Sequence, residues 1–128
     1  MEMKLGDREW KKFKFTDIFT IKGGFYNKKP ALESSGNVPF IGAVDKNNGI
    51  TELYTMANID RSSKTGDKKN ESIDKKVFKG NCICVTNNGS VGYAYYQEID
   101  FTCSHDVNPL YLKNHKLNRK MALFLIAS

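Results

Sequence analysis

Three cysteines, two histidines and a scatter of acidic side chains are the groups in this chain whose types and spacing could do chemistry. Cys82-x-Cys84 and Cys103-x-His105 offer three thiols and an imidazole, the donor set of a structural zinc site. Residues two apart on a strand face the same way, so each pair could converge on one ion. Zinc knuckles, however, put about two to four residues between their cysteines, not one. Small cysteines inside strands also pack as apolar groups, so the expectation is no metal site. Glu9-Trp10-Lys11 matches the Glu-x-Lys half of a metal-dependent nuclease. That chemistry needs a further acid, from Asp7, Asp17 or Asp45, to hold Mg²⁺. Ser104-His105-Asp106 has the residue types of a triad, yet neighbours on a strand point to opposite faces. No Gly-x-Ser-x-Gly elbow or phosphate-binding loop occurs. The sequence predicts a chain that is not an enzyme.

What remains is hydrogen-bonding chemistry on turns. Cys82, Cys84 and Thr86 alternate with Ile83, Val85 and Asn87, the period of a pleated strand. Asn87-Asn88-Gly89-Ser90 then breaks it, because Asn and Gly tolerate positive φ cheaply. Val91 to Gln97 resumes as a strand, with Tyr93 and Tyr95 on one face. Lys46-Asn47-Asn48 raises the same choice as Asn87 and Asn88: turn residues kept for φ, or amides aimed at base edges. Asn108-Pro109-Leu110-Tyr111 is similar to the Asn/Asp-Pro-Pro-Tyr motif of amino-methyltransferases. Leu110 replaces the second proline there, and the chain is too short for that fold as well.

Net charge is +6 and the isoelectric point is near 9.2, which suits a polyanionic partner. Between residues 61 and 80, Arg61, Lys64, Lys68, Lys69, Lys75, Lys76 and Lys79 outnumber Asp67, Glu71 and Asp74. Lys113, Lys116, Arg119 and Lys120 form a second basic cluster without acids among them. Both clusters are expected to meet phosphates. At 128 residues the chain reads as one domain, long enough for a core. An odd cysteine count and no apolar leader suggest a reducing, cytoplasmic setting. No apolar run approaches the roughly 18 residues of a membrane span.

The elements that must position these groups follow from patterning. A short arm and helical turn, with Asp17 as cap, lead to Ile21-Lys22-Gly23-Gly24. A polar loop carries Tyr26, Lys28, Lys29 and Pro30. Val38 to Val44 and Ile50 to Tyr54 read as strands around a turn at Asp45 to Gly49. Asn58 to Asn70 is charged and poor in large apolar residues, so a long loop is expected. Leu110 to Leu112 reads as a last strand. A helix is expected from about Asn114 to the end, with Leu117, Met121, Phe124 and Leu125 on one face. The fold class is α+β: one curved, mixed or antiparallel sheet with short helices and a C-terminal helix.

The order of these segments resembles the target recognition domains of type I restriction–modification specificity subunits and related fused restriction enzymes. Trp10-Lys11-x-Phe13-x-Phe15-x-Asp17-Ile18-Phe19-x-Ile21-x-Gly23-Gly24 is similar to the family's opening element. Val38-Pro39-Phe40-Ile41-Gly42 with Asn47-Asn48-Gly49-Ile50 is similar to its central strand and turn. Phe78-x-Gly80, Ile83, Val85, Asn88-Gly89-Ser90-Val91-Gly92, Tyr96-Gln97, Phe101 and Ser104-x-Asp106-Val107 follow its second half. The likeness runs from Trp10 to Leu123, nearly the whole chain. It implies a non-catalytic module that reads part of a double-stranded DNA target. Its partners would be methyltransferase (modification) and endonuclease subunits, which would bring S-adenosylmethionine, ATP and Mg²⁺; this chain itself would bind no cofactor. Tyr26, Asn47, Asn48, Asn87, Asn88, Ser90 and Tyr93 are the expected base readers. Lys28, Lys29, Lys46, Arg61, Lys64, Lys68, Lys69, Lys113 and Lys116 are the expected phosphate contacts. An alternative is a protein–protein module, or a decoy, docking modification subunits through Leu117, Met121 and Phe124 on the C-terminal helix. Changing Lys64, Lys68 and Lys69 to Gln should weaken binding about equally for all DNA sequences. It should also lower the slope of log affinity against log salt by roughly 0.9 for each phosphate no longer neutralised, measured by titration at several salt concentrations.

Overall fold

The structure, a computed structural model, describes residues 18–65, 71–88, 92–113 and 116–127, the side chains of Phe124 and Ala127 excepted. The expectations for Trp10 to Asp17, Lys68, Lys69, Ser90, Asn114, His115 and the Phe124 side chain lie outside the described residues.

The apolar run at Cys82–Thr86 forms β4, an inner strand of a four-stranded antiparallel sheet. Its order is β1 (Phe19–Ile21), β7 (Val107–Leu112), β4, β5 (Ala94–Gln97). A second sheet has the order β3 (Ile50–Tyr54), β2 (Ser35–Ile41), β6 (Thr102–Cys103). There β2 pairs antiparallel with β3 and parallel with β6. This is the mixed, mainly antiparallel α+β arrangement predicted, divided into two sheets. Alternation on each strand sorts the side chains into three cores. Cys82 and Cys84 join Ile41, Phe101, Cys103 and Val107 between the sheets. On the far side of β4, Ile83 joins Phe19, Tyr96, Leu110, Leu117 and Ala122 under the C-terminal helix α3 (Arg119–Ala127). The outer face of the smaller sheet packs Val38, Phe40 and Tyr54 against Ile59 of α1 (Met56–Arg61) and Ile73 of the short α2 (Ile73–Lys76).

Local chemistry sets the strand irregularities. Ser35 and Val38 both lie opposite Tyr54, so β2 bulges at Gly36. A Cβ there would stand 2.3 Å from the Tyr54 carbonyl oxygen, which only glycine avoids. Pro109 sits in β7 between two partner strands, where a missing N–H should break the ladder. Its carbonyl accepts from the Lys22 amide at 2.8 Å, so the absent donor is the one that would have served the Lys22 carbonyl. The Asn108 side-chain amide donates to that carbonyl at 2.9 Å instead. The Asn108-Pro109 pair is thus explained by strand pairing.

Two expectations need correction. The segment from Asn58 does not open as a loop. Thr55 caps α1 by accepting from the Asn58 amide at 3.0 Å, and Asn58 and Ile59 are buried. One apolar residue per turn is enough for a short helix when it enters a core already built by others. Leu117 does not face a partner: it precedes α3, is 2 % exposed and fills the core above β4. Met121 is half-buried against the same core. Asn118 starts the helix by accepting from the Met121 amide at 2.9 Å, and among its described side chains the exposed large apolar ones are Leu123 and Ile126. The three thiols, by contrast, pack as apolar groups, the role expected of small side chains inside strands. Burial pushes Cys84 well above its ordinary value and Cys103 to about 12, so neither is a thiolate near neutrality.

The Asn58 side chain accepts from the Glu33 amide at 2.8 Å and donates to the Ala31 carbonyl at 3.2 Å. It ties the 28–33 segment to α1. Asn58→Ala should therefore cost about 1–3 kcal/mol, read as a lower urea midpoint at unchanged slope.

Candidate nucleic-acid interface

Strand directions bring most of the polar segments to one end of the molecule. Strands β1, β2, β4 and β6 finish there, and β3, β5 and β7 begin there. That end carries Lys22, Asn87-Asn88, Tyr93 and the Ser104–Asp106 turn, while the 42–49 loop leaves β2 and runs along β5 to Tyr96 and Gln97. Residues 26–28 join it: Tyr26 forms a bridge with Ser104, and its carbonyl accepts from the His105 amide at 2.8 Å. Helix α1 returns from the far end of β3, so Lys64 also arrives. Its carbonyl accepts from the Asn27 and Lys28 amides at 2.9 and 3.2 Å.

Across the strand ends runs a chain of side-chain amides. Asn87 Nδ2 donates to Asn108 Oδ1 and, at 3.4 Å, to the His105 carbonyl. Asn108 continues the chain to the Lys22 carbonyl. Both amide hydrogens of Asn87 are engaged within the protein, which leaves it a brace. Among the described residues Asn88 donates once, to Asp106 Oδ1 at 3.2 Å, which leaves an amide hydrogen and its oxygen for another partner. His105 and Asp106 approach at 3.6 Å. They meet because 104–107 is a turn and not the strand the sequence suggested. Ser104 Oγ accepts the Asp106 amide at 3.1 Å. Lys22, His105, Asp106 and Asn108 belong to this end, although sequence reasoning gave them no part in binding. The signal available for them was a dense polar run, Ser104 to Asn108, between two apolar strands.

The Asn47-Asn48 turn is built for conformation first. Asn47 and Asn48 have φ of 55° and 53°. Asn47 Nδ2 donates to the Ile50 carbonyl at 2.9 Å. Asn48 Nδ2 donates to the Tyr96 carbonyl at 3.0 Å, and Gln97 returns a bond to the Asn48 carbonyl at 2.9 Å. The turn therefore covers the outer edge of β5, a strand with no other neighbour on that side among the described residues. Gly49 has φ of 78°, and a Cβ there would meet the Tyr95 ring at 2.9 Å. Tyr95 donates to the Val44 carbonyl at 2.8 Å, and its hydroxyl is held neutral by burial and then by the charge of Asp45. Tyr93 stacks on Tyr95 with ring centroids 6.3 Å apart and stays 42 % exposed. An exposed aromatic braced from behind is suited to contact bases or sugars.

Several expected contacts stand elsewhere. Tyr26 is 1 % exposed and its hydroxyl bonds Ser62 Oγ, so it is a core residue and no base reader. Lys76 is fully buried and unavailable to phosphate. Lys113 leaves β7 at the opposite end of the sheet, where its amide bonds the Ile18 carbonyl at 2.8 Å. A strand of this length separates it from Asn88 by about 15–20 Å. The basic segment that continues to Lys116 therefore does not begin beside the Asn88 end. Arg61 pairs with Glu33, and Lys29 with Glu52 at 3.7 Å. Lys28, Lys46 and Lys64 are exposed and carry no ion pair among the described residues. Beside Lys28 and Lys29, a cleft of about 350 Å³ opens toward Asn58, Arg61 and Ser63.

Comparison with known proteins places this arrangement. Residues 7–128 match the family model described as the type I restriction modification DNA specificity domain. The chain is 36 % identical over 121 residues to the Type II restriction enzyme BgcI specificity subunit S.BcgI of Heyndrickxia coagulans. That match covers 94 % of this chain and 30 % of the relative, so the chain spans under a third of that protein. A crystal structure of the type I restriction-modification system S subunit from M. genitalium superposes with a TM-score of 0.55 at 22 % identity. It covers 80 % of this chain and 22 % of that one, a likeness of fold. With a family model matched from residue 7 to the last residue, this chain belongs to the type I restriction modification DNA specificity domain family.

Proposed function

We propose that this domain reads a short sequence in double-stranded DNA and does no chemistry itself. The observation that carries the reading is the meeting of Asn88, Tyr93, Lys28 and Lys64 at one end of the strands. Phosphate-neutralising cations there flank amides and an exposed ring that can reach base edges. Methylation and cleavage would fall to methyltransferase and endonuclease subunits, with S-adenosylmethionine, ATP and Mg²⁺ bound by them. One such surface neutralises few phosphates, so binding by the isolated domain is weak and salt-dependent. A second reading has one specific support: Leu123, 56 % exposed, and Ile126 lie together on α3. They would dock another subunit of the same system, leaving DNA binding to the opposite end.

Selection of bound duplexes from a randomised pool at low salt tests the first reading. A recurring short motif is the expected result; salt-sensitive binding without a motif would reduce the domain to a generic basic surface, and no binding would reject the reading. Asn88→Ala should relax one position of the motif, at about 1–3 kcal/mol of discrimination. The Glu33 pairing gives a change in the other direction. Glu33→Gln frees the Arg61 guanidinium and should raise affinity for any duplex about two- to fivefold at low salt. Unchanged affinity would place Arg61 outside the interface.

A further inference from the structure

We propose that Lys76 is the positioning residue of this basic edge. Its buried ammonium clamps Ser62 and the end of α1 to α2 and so fixes where Lys64 and Lys28 stand against a phosphate backbone. The inference rests on the DNA-reading function proposed above.

The geometry is that of a cation joining the end of one short helix to another. Lys76 is 0 % exposed. Its Nζ donates to the carbonyls of Ser62 at 2.6 Å, Asp60 at 2.8 Å and Ile59 at 3.3 Å. These lie at the C-terminal end of α1, where a helix leaves carbonyls without partners and favours positive charge. An ammonium has three donors, and the Ile59, Asp60 and Ser62 carbonyls are among the acceptors that meet it here. Sequence positions 62 and 76 are thereby held together, and the chain between them carries Lys64 and Lys75 among its described cations.

The clamp reaches the surface through a short relay. Ser62, whose carbonyl Lys76 holds, bonds the Tyr26 hydroxyl through its own Oγ. Two residues on, the Lys64 carbonyl accepts from the Asn27 and Lys28 amides. Loosening Ser62 therefore loosens Lys64 and Lys28 together, although Lys76 touches neither side chain. A lysine kept only to fill the core would not need its charge. A methionine would fill that volume without the cost of burying an ammonium.

The test compares Lys76→Met, the pair Lys28→Gln/Lys64→Gln, and all three changes, by DNA titration across salt concentrations. Lys76→Met is expected to bind on the order of tenfold more weakly at low salt and to lower the salt slope by about 1 to 2, as the pair does. Added to the pair, it should change affinity less than twofold. A parent-like slope in folded Lys76→Met, or full additivity in the triple variant, would overturn the proposal. Should Lys76→Met fail to fold, amine acetylation of the parent decides. Lys76 should stay unmodified after Lys64 and Lys75 have reacted, and equal reaction would refute the clamp. A parent that shows no salt-dependent DNA binding rejects the functional reading instead, while the acetylation result still judges the clamp.

Discussion

Strand β4 has to satisfy two cores at once, and the rest of the molecule is arranged around that. Ile83 and Val85 face the helix-covered layer, while Cys82 and Cys84 face the second sheet. A strand buried on both sides must be apolar at nearly every position, as Cys82 to Val85 are. It must also have small side chains wherever another sheet approaches. Cysteine meets both needs. The same burial raises the pKa of Cys84 and Cys103 and keeps them unreactive. Residue types that could serve as metal ligands are here a packing solution.

Once β4 is fixed, its C-terminal end fixes the polar end of the domain. Hydrogen bonding there is arranged so that backbone irregularities are served by side chains. Asn108 serves the Lys22 carbonyl that Pro109 cannot. Asn48 and Gln97 cover the β5 edge. The amides left over after this bracing are the ones a base could use, which is why Asn88 is favoured over Asn87. Recognition groups mounted on strand ends and braced by their neighbours keep their positions better than the same groups on free loops.

Charge is sorted by the same geometry. Of the cations between residues 61 and 80, Arg61 is tied to Glu33, Lys79 to Asp100, and Lys76 is engaged inside on carbonyls. Formal net charge therefore overstates what the surface offers a polyanion. The exposed Lys28 and Lys64 are the part of it that shares an end with Asn88.

The sequence by itself determined what is local. Alternating residues at 82–86 located β4, the asparagine–glycine turns ended strands where they stood, and the motif order from Trp10 onward carried the family. These depend on near-neighbour sterics and on periodicity, which one chain displays directly. Only the tertiary structure decided which asparagines were already engaged, that Tyr26 and Lys76 lie inside, that Leu117 faces its own core and that Lys113 stands far from Asn88. Each of those facts depends on a partner many residues away, as with Tyr26 and Ser62 or Lys76 and Asp60. Composition cannot reveal it, because an exposed lysine and a clamped one have the same letters around them. The short helix α1 was hidden for the same reason: Ile59 alone gives no periodic signal until Phe40 and Tyr54 supply the core it enters.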